Sequence, residues 1–339
     1  AIGENALGSG NVSGGYNISF GYSSSAAMTS GICNIAMGSN ALGASTTGCD
    51  NIAIGSGAIA TGVTTSTNNV AIGITAMNKV TSGGHNTAIG PFVQNCMTTG
   101  SHNIGMGYNA MGGCTLTGHY NLALSRESLH LLTSGSCNVA TGYKAGRMVT
   151  SGGNNTLIGA HAGCNAEATI SSQSNYIQIG DNAVTNFLVS TGLSNPSDAR
   201  DKTDVSDLDL GLDYIKALRP VYYRWDKRSW YDDSGDPNGT AEEIETYLAY
   251  EPDGSGKRNR WEIGLLAQEV LAAEKLHTSN SQVLNEGMDV VANEGVTVEG
   301  TLETGYQMQY QKITMPLIKA AQELDDKIVA LAARVTDLE

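Results

Sequence analysis

From Asn17 onward the chain cycles through a five-residue unit, asparagine, apolar, small, apolar, glycine, that returns at a nearly fixed interval. NISFG begins at Asn17, NIAMG at Asn34, NIAIG at Asn51, NVAIG at Asn69, NTAIG at Asn86, NIGMG at Asn103, NLALS at Asn121, NVATG at Asn138 and NTLIG at Asn155. Successive starts differ by 17, 17, 18, 17, 17, 18, 17 and 17. Alternation at period two predicts one short strand per copy. A steady period predicts stacked copies of one unit, because no copy has enough apolar bulk for a core of its own. Stacking at about 4.8 Å per rung would pair every backbone edge, bury the Ile and Ala faces, and make nine rungs roughly 40 Å long. Glycine at each corner supplies the positive φ and close backbone approach that a tight coil needs. The anchor asparagines are expected to stack as an amide ladder along the axis, or to cap each its own turn; the two roles are compatible.

The period fails after Asn155. NYIQIG at Asn175 arrives late for the period and carries an additional residue before its glycine. A solenoid needs an atypical end, so 165–196 reads as a distal cap or tip to a shaft over 1–164. Beyond it the pattern changes. Leu212, Ile215 and Leu218 mark a short amphipathic helix stopped by Pro220 and followed by a strand. Residues 226–261 form a polar insertion, read as a long hairpin or loop. WEIGLLAQEVLAAEKL reads as a strand turning into a helix. A terminal helix over 313–339 carries Leu317, Ala321, Leu324, Ile328, Leu331, Val335 and Leu338, spaced 4, 3, 4, 3, 4, 3. That is a heptad seam, the mark of an oligomeric coiled coil, although a helix lying on a globular core would show a similar stripe.

Charge divides the chain at the same place. Residues 1–190 hold four Lys/Arg (Lys79, Arg126, Lys144, Arg147) and five Asp/Glu (Glu4, Asp50, Glu127, Glu167, Asp181). Their net charge is 4 − 5 = −1, so of the chain's −14 the remainder carries −13. With no basic face, nucleic acid is not an expected partner, and with no long apolar run, no membrane insertion is expected. AIGENALGSG has neither the basic start nor the apolar stretch of a signal peptide; it reads as the middle of a repeat, and so as part of a longer chain. The six cysteines, Cys33, Cys49, Cys96, Cys114, Cys137 and Cys164, form no CxxC pair. They are read as small apolar fillers made in a reducing cytoplasm. No cofactor is called for. His85, His102 and His119, each one repeat from the next, are expected to lie one above another, either as exposed turn residues or as metal ligands if three chains share an axis.

The thin rungs resemble the head repeats of trimeric bacterial adhesins and the shafts of phage tail fibres, which implies a homotrimer. From Ser197 on, four blocks in order carry a second resemblance. They are the Ser-Asp-x-Arg-x-Lys opening at Ser197, Asp198, Arg200 and Lys202; GLDYIKALRPVYYRW; GLLAQEV at 264–270; and YQKITMPLIKAAQEL at the entry to the last helix. Together, over about 197–339, they resemble the self-cleaving intramolecular chaperone at the C-terminus of phage tailspikes, endosialidases and tail fibres. The acidic insertion between Trp225 and Trp261 departs from that pattern.

The resemblance implies a mostly β protein, a trimeric β-solenoid shaft followed by a small α+β chaperone (197–339) that ends in a coiled-coil helix. It implies one autoproteolytic turnover, with Ser197 attacking the carbonyl of Pro196, Lys202 as base, Asp198 orienting the loop or the amine, and Arg200 holding the loop or the oxyanion. A charged linker without chemistry would also fit these residue types. The expected role is attachment to a host-surface receptor, glycan or protein, by a fibre made in the bacterial cytoplasm and carried on the virion. Tyr176 and Phe187, in the stretch where the period breaks, are the candidate receptor contacts. A glycan-depolymerising tailspike would need paired carboxylates in a groove, which five scattered acidic residues do not favour. A surface adhesin would need anchor strands that this sequence lacks.

Overall fold

The computed structural model describes residues 1–8, 12–62, 65–113, 115–165, 168–181, 184, 187–188, 190, 198–203, 205, 207–226, 251–277, 291–293, 306–308 and 313–338. They fall into two compact units, Ala1–Phe187 and Leu188–Glu339.

The first unit is a solenoid with one strand per rung. The strands are β1 (Ile18–Phe20), β2 (Ile35–Met37), β3 (Ile52–Ile54), β4 (Val70–Ile72), β5 (Thr87–Ile89), β6 (Ile104–Met106), β7 (Leu122–Leu124), β8 (Val139–Thr141) and β9 (Thr156–Ile158). They pair in parallel and in sequence order, each with its centre opposite the next centre, as in Ala36↔Ala53 and Ala71↔Ala88. The stack does not stop where the period fails. The extra residues leave the rung as a small antiparallel pair, β10 (Cys164–Asn165) with β11 (Ala168–Thr169). The chain then returns as a tenth strand, β12 (Ile177–Ile179), in parallel register on β9.

The strand centres point inward. Ala36, Ala53, Ala71, Ala88, Ala123, Ala140 and Leu157 are fully buried, with Leu42, Ile59, Met77, Met111 and Leu129 in a second inner column. The flanking strand positions point the other way, as period two requires. Ile18, Phe20, Met37, Ile72, Ile104, Met106, Ile158, Ile177 and Ile179 are exposed in the single chain. The expectation that stacking buries both the Ile and the Ala faces is therefore corrected: stacking buries the Ala face and leaves an apolar sheet face uncovered.

The asparagines form the ladder. The backbone N–H of Asn86 donates to Oδ1 of Asn69 (3.0 Å), its Nδ2 donates to the same oxygen (3.1 Å), and its own Oδ1 accepts from the N–H of Asn103 (2.9 Å). Nδ2 also reaches the carbonyl of Gly100 on the next rung (2.9 Å). The pattern recurs from Asn17 to Asn155, so the anchor amides tie successive rungs together. Own-turn capping is seen at Asn86, whose Nδ2 lies 3.1 Å from the Gly84 carbonyl. At the corner after each strand the backbone takes a φ that side chains disfavour. Gly142 has φ +133, and a Cβ there would stand 2.5 Å from the Gly159 carbonyl oxygen.

In the second unit, α1 (Leu212–Ala217) leads into β13 (Val221–Tyr223), which pairs antiparallel with β14 (Glu262–Gly264). Together they form a hairpin whose connection is the polar insertion. Of that insertion, 227–250 lies outside the described residues. Helix α2 (Ala267–His277) follows, then the antiparallel pair β15 (Val291–Asn293) and β16 (Tyr306–Met308), and the terminal helix α3 (Thr314–Thr336). Leu210, Tyr214 and Ala273 form the small core, with Ile215 and Leu218 against it.

Candidate functional site

At the opening of the second unit, Pro196 and Ser197 lie outside the described residues. The three charged members of the motif are described. Asp198 sits in extended backbone (φ −70°, ψ 130°) ahead of a single 3-10 turn, Ala199–Asp201. Its Oδ1 accepts from the N–H of Arg200 at 2.9 Å, so the carboxylate caps the turn. The guanidinium of Arg200 folds back on the same carboxylate, with Nε 3.1 Å from both oxygens and Nη2 2.5 Å from Oδ2. The Arg200 side chain, and then its backbone N–H, hold the Asp198 carboxyl below the usual carboxylate range. The carboxylate in turn raises Arg200 further. Lys202 closes the turn, its N–H donating to the Ala199 carbonyl at 3.3 Å, and its side chain is exposed in the single chain.

The sequence blocks behind this turn lock into one another. The N–H of Leu212, at the start of α1, donates to Oε2 of Glu323 on α3 at 2.8 Å. Gly211 leaves the room, since a Cβ there would collide with that carboxylate. Arg219 binds both oxygens of Glu269 on α2, with Nε at 3.1 Å, and holds that carboxyl below its ordinary range. Tyr214 is buried against α2, and burial, then the Glu274 charge, pushes its hydroxyl well above the ordinary tyrosine value. Helix α3 meets α1, with Glu323 at the contact, and Pro316 and Ala320 are its buried residues. Its heptad positions Leu317, Leu324, Ile328, Leu331, Val335 and Leu338 remain exposed. The contacts of Glu323 and Glu269 were not foreseen from sequence; a glycine at a helix start and an arginine beside Pro220 are faint signals for them.

The other candidates fall differently. His85 and His102 stack face to face, centroids 4.8 Å apart. The next ring in that stack is Tyr120, 4.9 Å from His102, and not His119. The longer step from Asn103 to Asn121 inserts a residue, so Tyr120 takes the place before the anchor. Nδ1 of His119 instead accepts from the N–H of Ser101 at 3.1 Å. Among the described residues no group of three or more His, Cys, Asp or Glu is arranged to hold a metal. The cysteines are not core fillers: Cys33 and Cys137 are exposed, and Cys49, Cys96 and Cys164 are half-buried. Cys114 lies outside the described residues. Tyr176 stays in the stack. It occupies the anchor position of the tenth rung, its N–H donating to Oδ1 of Asn155 at 2.9 Å, and packs against the solenoid core. Phe187 is exposed.

One cluster in the solenoid was read from sequence only as composition. Arg126, Glu127, Lys144 and Arg147 meet on adjacent rungs, with Arg126 between Tyr108 and Tyr143 and Lys144 against Tyr143. The crowding of three of the shaft's four cations between Arg126 and Arg147 was the available signal.

Residues 197–277 match the family model described as chaperone of endosialidase. The match takes in the Ser197 opening, α1, the β13–β14 hairpin and α2; the solenoid and α3 lie outside it. No curated protein matches the chain.

Proposed function

We propose that this chain is the host-binding part of a phage tail fibre or tailspike, whose C-terminal unit assembles it as a homotrimer, sets its register, and then cuts itself away between Pro196 and Ser197. The observation that carries the reading is position: similarity to the chaperone family begins at Ser197, just beyond the last rung of a solenoid built from near-identical repeats. Such a shaft specifies its register poorly. A slip of one chain by a whole repeat sets Ala against Ala and Asn against Asn on almost every rung. A folding unit that brings three chains to a common start removes that ambiguity.

Two exposed apolar features support self-association. One is the sheet face whose exposed apolar positions run from Ile18 to Ile179; the other is the heptad seam of α3, which is exposed in the single chain. Copies of the chain would cover each of them, since each face is periodic along its own axis.

In the proposed cut, Ser197 Oγ attacks the Pro196 carbonyl carbon. The peptide C–N bond breaks, an ester forms on Oγ, and the Ser197 nitrogen leaves as an amine. Water then hydrolyses the ester, restoring the hydroxyl and leaving a carboxylate on Pro196. Lys202 takes the Oγ proton and returns it to the leaving nitrogen. A lysine serves as a base where burial disfavours its ammonium form. The reading therefore asks a neighbouring chain to cover Lys202, which would tie cutting to assembly. Arg200 is engaged by Asp198, and the pair is assigned to holding the turn. Once the template is gone, the shaft cannot unfold along its folding path, and its persistence becomes kinetic.

The test is a denaturing gel of freshly made full chain beside Ser197→Ala and Lys202→Ala. Wild type should give two bands. Ser197→Ala should stay whole, and Lys202→Ala should slow the cut by about 100-fold or more. A wild-type band that remains full length on long incubation at neutral pH, with the protein trimeric by light scattering, would leave a folding device without the reaction.

A further inference from the structure

The solenoid is nearly uncharged except at one place. Arg126, Lys144 and Arg147 are three of the four cations in residues 1–190, and with Glu127 they make a patch of net +2. The rest of that segment, Lys79 against Glu4, Asp50, Glu167 and Asp181, sums to −3. The patch lies past the corner that follows each strand, not on the apolar sheet face. There the first residue after each corner stacks in a column containing Tyr108, Arg126 and Tyr143. The second stacks in a column containing Phe92, Glu127, Lys144 and His161. Backbone hydrogen bonds bind the columns: Glu127 N–H to Tyr108 O (2.9 Å), Lys144 N–H to Arg126 O (3.0 Å), His161 N–H to Tyr143 O (2.8 Å).

The side chains form one continuous surface. Phe92 meets Tyr108 edge-on at 5.7 Å, and Tyr143 meets His161 edge-on at 5.3 Å. The Arg126 guanidinium lies between the two tyrosines, 5.4 Å from the Tyr108 ring and 6.0 Å from the Tyr143 ring. Lys144 Nζ is 5.1 Å from the Tyr143 ring. Glu127 is the one member largely buried. Burial opposes its ionisation, but the hydrogen bond from Arg126 and the charges of Lys144, Arg126 and Arg147 outweigh that and keep it ionised. It thus positions the cations. Tyr108 and Tyr143 remain 46 % and 39 % exposed, and Arg126 59 %.

The corner beside the cluster is strained. Where Gly107 and Gly142 stand on the neighbouring rungs, this rung has Ser125 at φ +123. A side chain at that angle is disfavoured, and an outlier of this kind concentrates at functional sites.

We infer that the Arg126–Tyr143 face of the solenoid is a binding site for an acidic polysaccharide. This rests on the host-attachment reading and names the receptor class. Half-exposed aromatic rings give flat apolar surface for sugar rings, and arginine gives a planar fork for a carboxylate. The face spans five rungs from Phe92 to His161, about 20 Å at the rung spacing. It is an open surface, so it suits an extended repeating ligand more than a small molecule.

The test is calorimetric titration of the full chain with hexagalacturonate, with maltohexaose as the neutral control. Galacturonate should bind and maltohexaose should not. Arg126→Ala and Tyr143→Ala should each weaken binding at least 10-fold, Arg126→Lys by less, and Lys79→Ala not at all. Oligomeric state by light scattering should be the same in all of them. No galacturonate binding, equal binding of maltohexaose, or unchanged affinity in Arg126→Ala overturns the site; so does loss of assembly in Arg126→Ala, which would make the face an interface between chains. Adsorption to bacterial cells separates this inference from the reading beneath it. Cells held equally by wild type and Arg126→Ala refute the site and leave host attachment standing. Galacturonate binding that depends on Arg126, without adsorption to any strain, refutes attachment and leaves the site standing.

Discussion

Replacing Asn86 by Ala removes one step of the buried amide ladder. Its Oδ1 is the acceptor for the Asn103 N–H at 2.9 Å, and its Nδ2 is a donor to the Gly100 carbonyl at 2.9 Å. Asn69 Oδ1 loses one donor but keeps the Asn86 backbone N–H at 3.0 Å. Two backbone groups are therefore left unpaired in an interior closed to water, Asn86 and Asn103 both being fully buried. At about 1–3 kcal/mol for each orphaned group, the cost is about 2–6 kcal/mol. In a linear stack that cost falls on the affected rung and its neighbours. Hydrogen-exchange mass spectrometry of the native protein should thus show peptides spanning 86–104 exchanging about 30-fold faster or more, on about 1.4 kcal/mol per tenfold. Rungs near Ile35 and Val139 should hardly change. Asn17→Ala should cost less, because Asn17 is half-buried and has no asparagine before it in the ladder. If the amides near Asn103 exchange within threefold of wild type, the ladder is not what holds the rungs together.

Ser125→Gly should raise stability by about 1 kcal/mol by relieving φ +123, whereas Gly142→Ala should lower it, its Cβ meeting the Gly159 carbonyl; paired thermal melts decide both. Gln94 is fully buried in the column that holds Met77 and Met111; its backbone N–H donates to the Ala110 carbonyl, but its side-chain amide finds no hydrogen-bond partner among the described residues. Gln94→Met should therefore stabilise by about 1–3 kcal/mol, measured as slower exchange around Val93. Leu331→Asp places a charge on the α3 seam, which is exposed in the single chain; sedimentation should show loss of the assembled species while circular dichroism of the solenoid persists if the seam joins copies. The Glu269 carboxyl is depressed by Arg219, so its contribution is present above about pH 4.5, the ordinary glutamate value, and is lost as pH falls through the lower folded value. Acid titration should loosen the α1–α2 contact in wild type, and Glu269→Gln should be flatter over that window.

The periodic part of the molecule was legible in the sequence because each rung repeats the same local decision. Asparagine at a fixed step, glycine where φ turns positive, and alternation at period two give the parallel strands, their order and their register. No long-range information is needed, since every contact joins equivalent positions of neighbouring copies. The segment from Ser197 onward was read by resemblance, and the family match covers 197–277 of it. Tertiary structure decided what a single period cannot. It carried the stack past the break at Asn155, because an extra strand pair can leave the rung and return in register. It seated Tyr120 in place of His119, because one inserted residue shifts every later side chain in that rung by one position. It left the Ile face open, because only the stack's curvature says which side of a strand is inside. It brought Glu323 to the start of α1 and Glu269 to Arg219 across 111 and 50 residues of sequence, contacts that follow from packing and have no local signature. The Arg126 patch is of the same kind: its cations are visible in the sequence, but only the stacking of rungs sets Arg126 between two tyrosines and gathers Lys144 and Arg147 around Glu127.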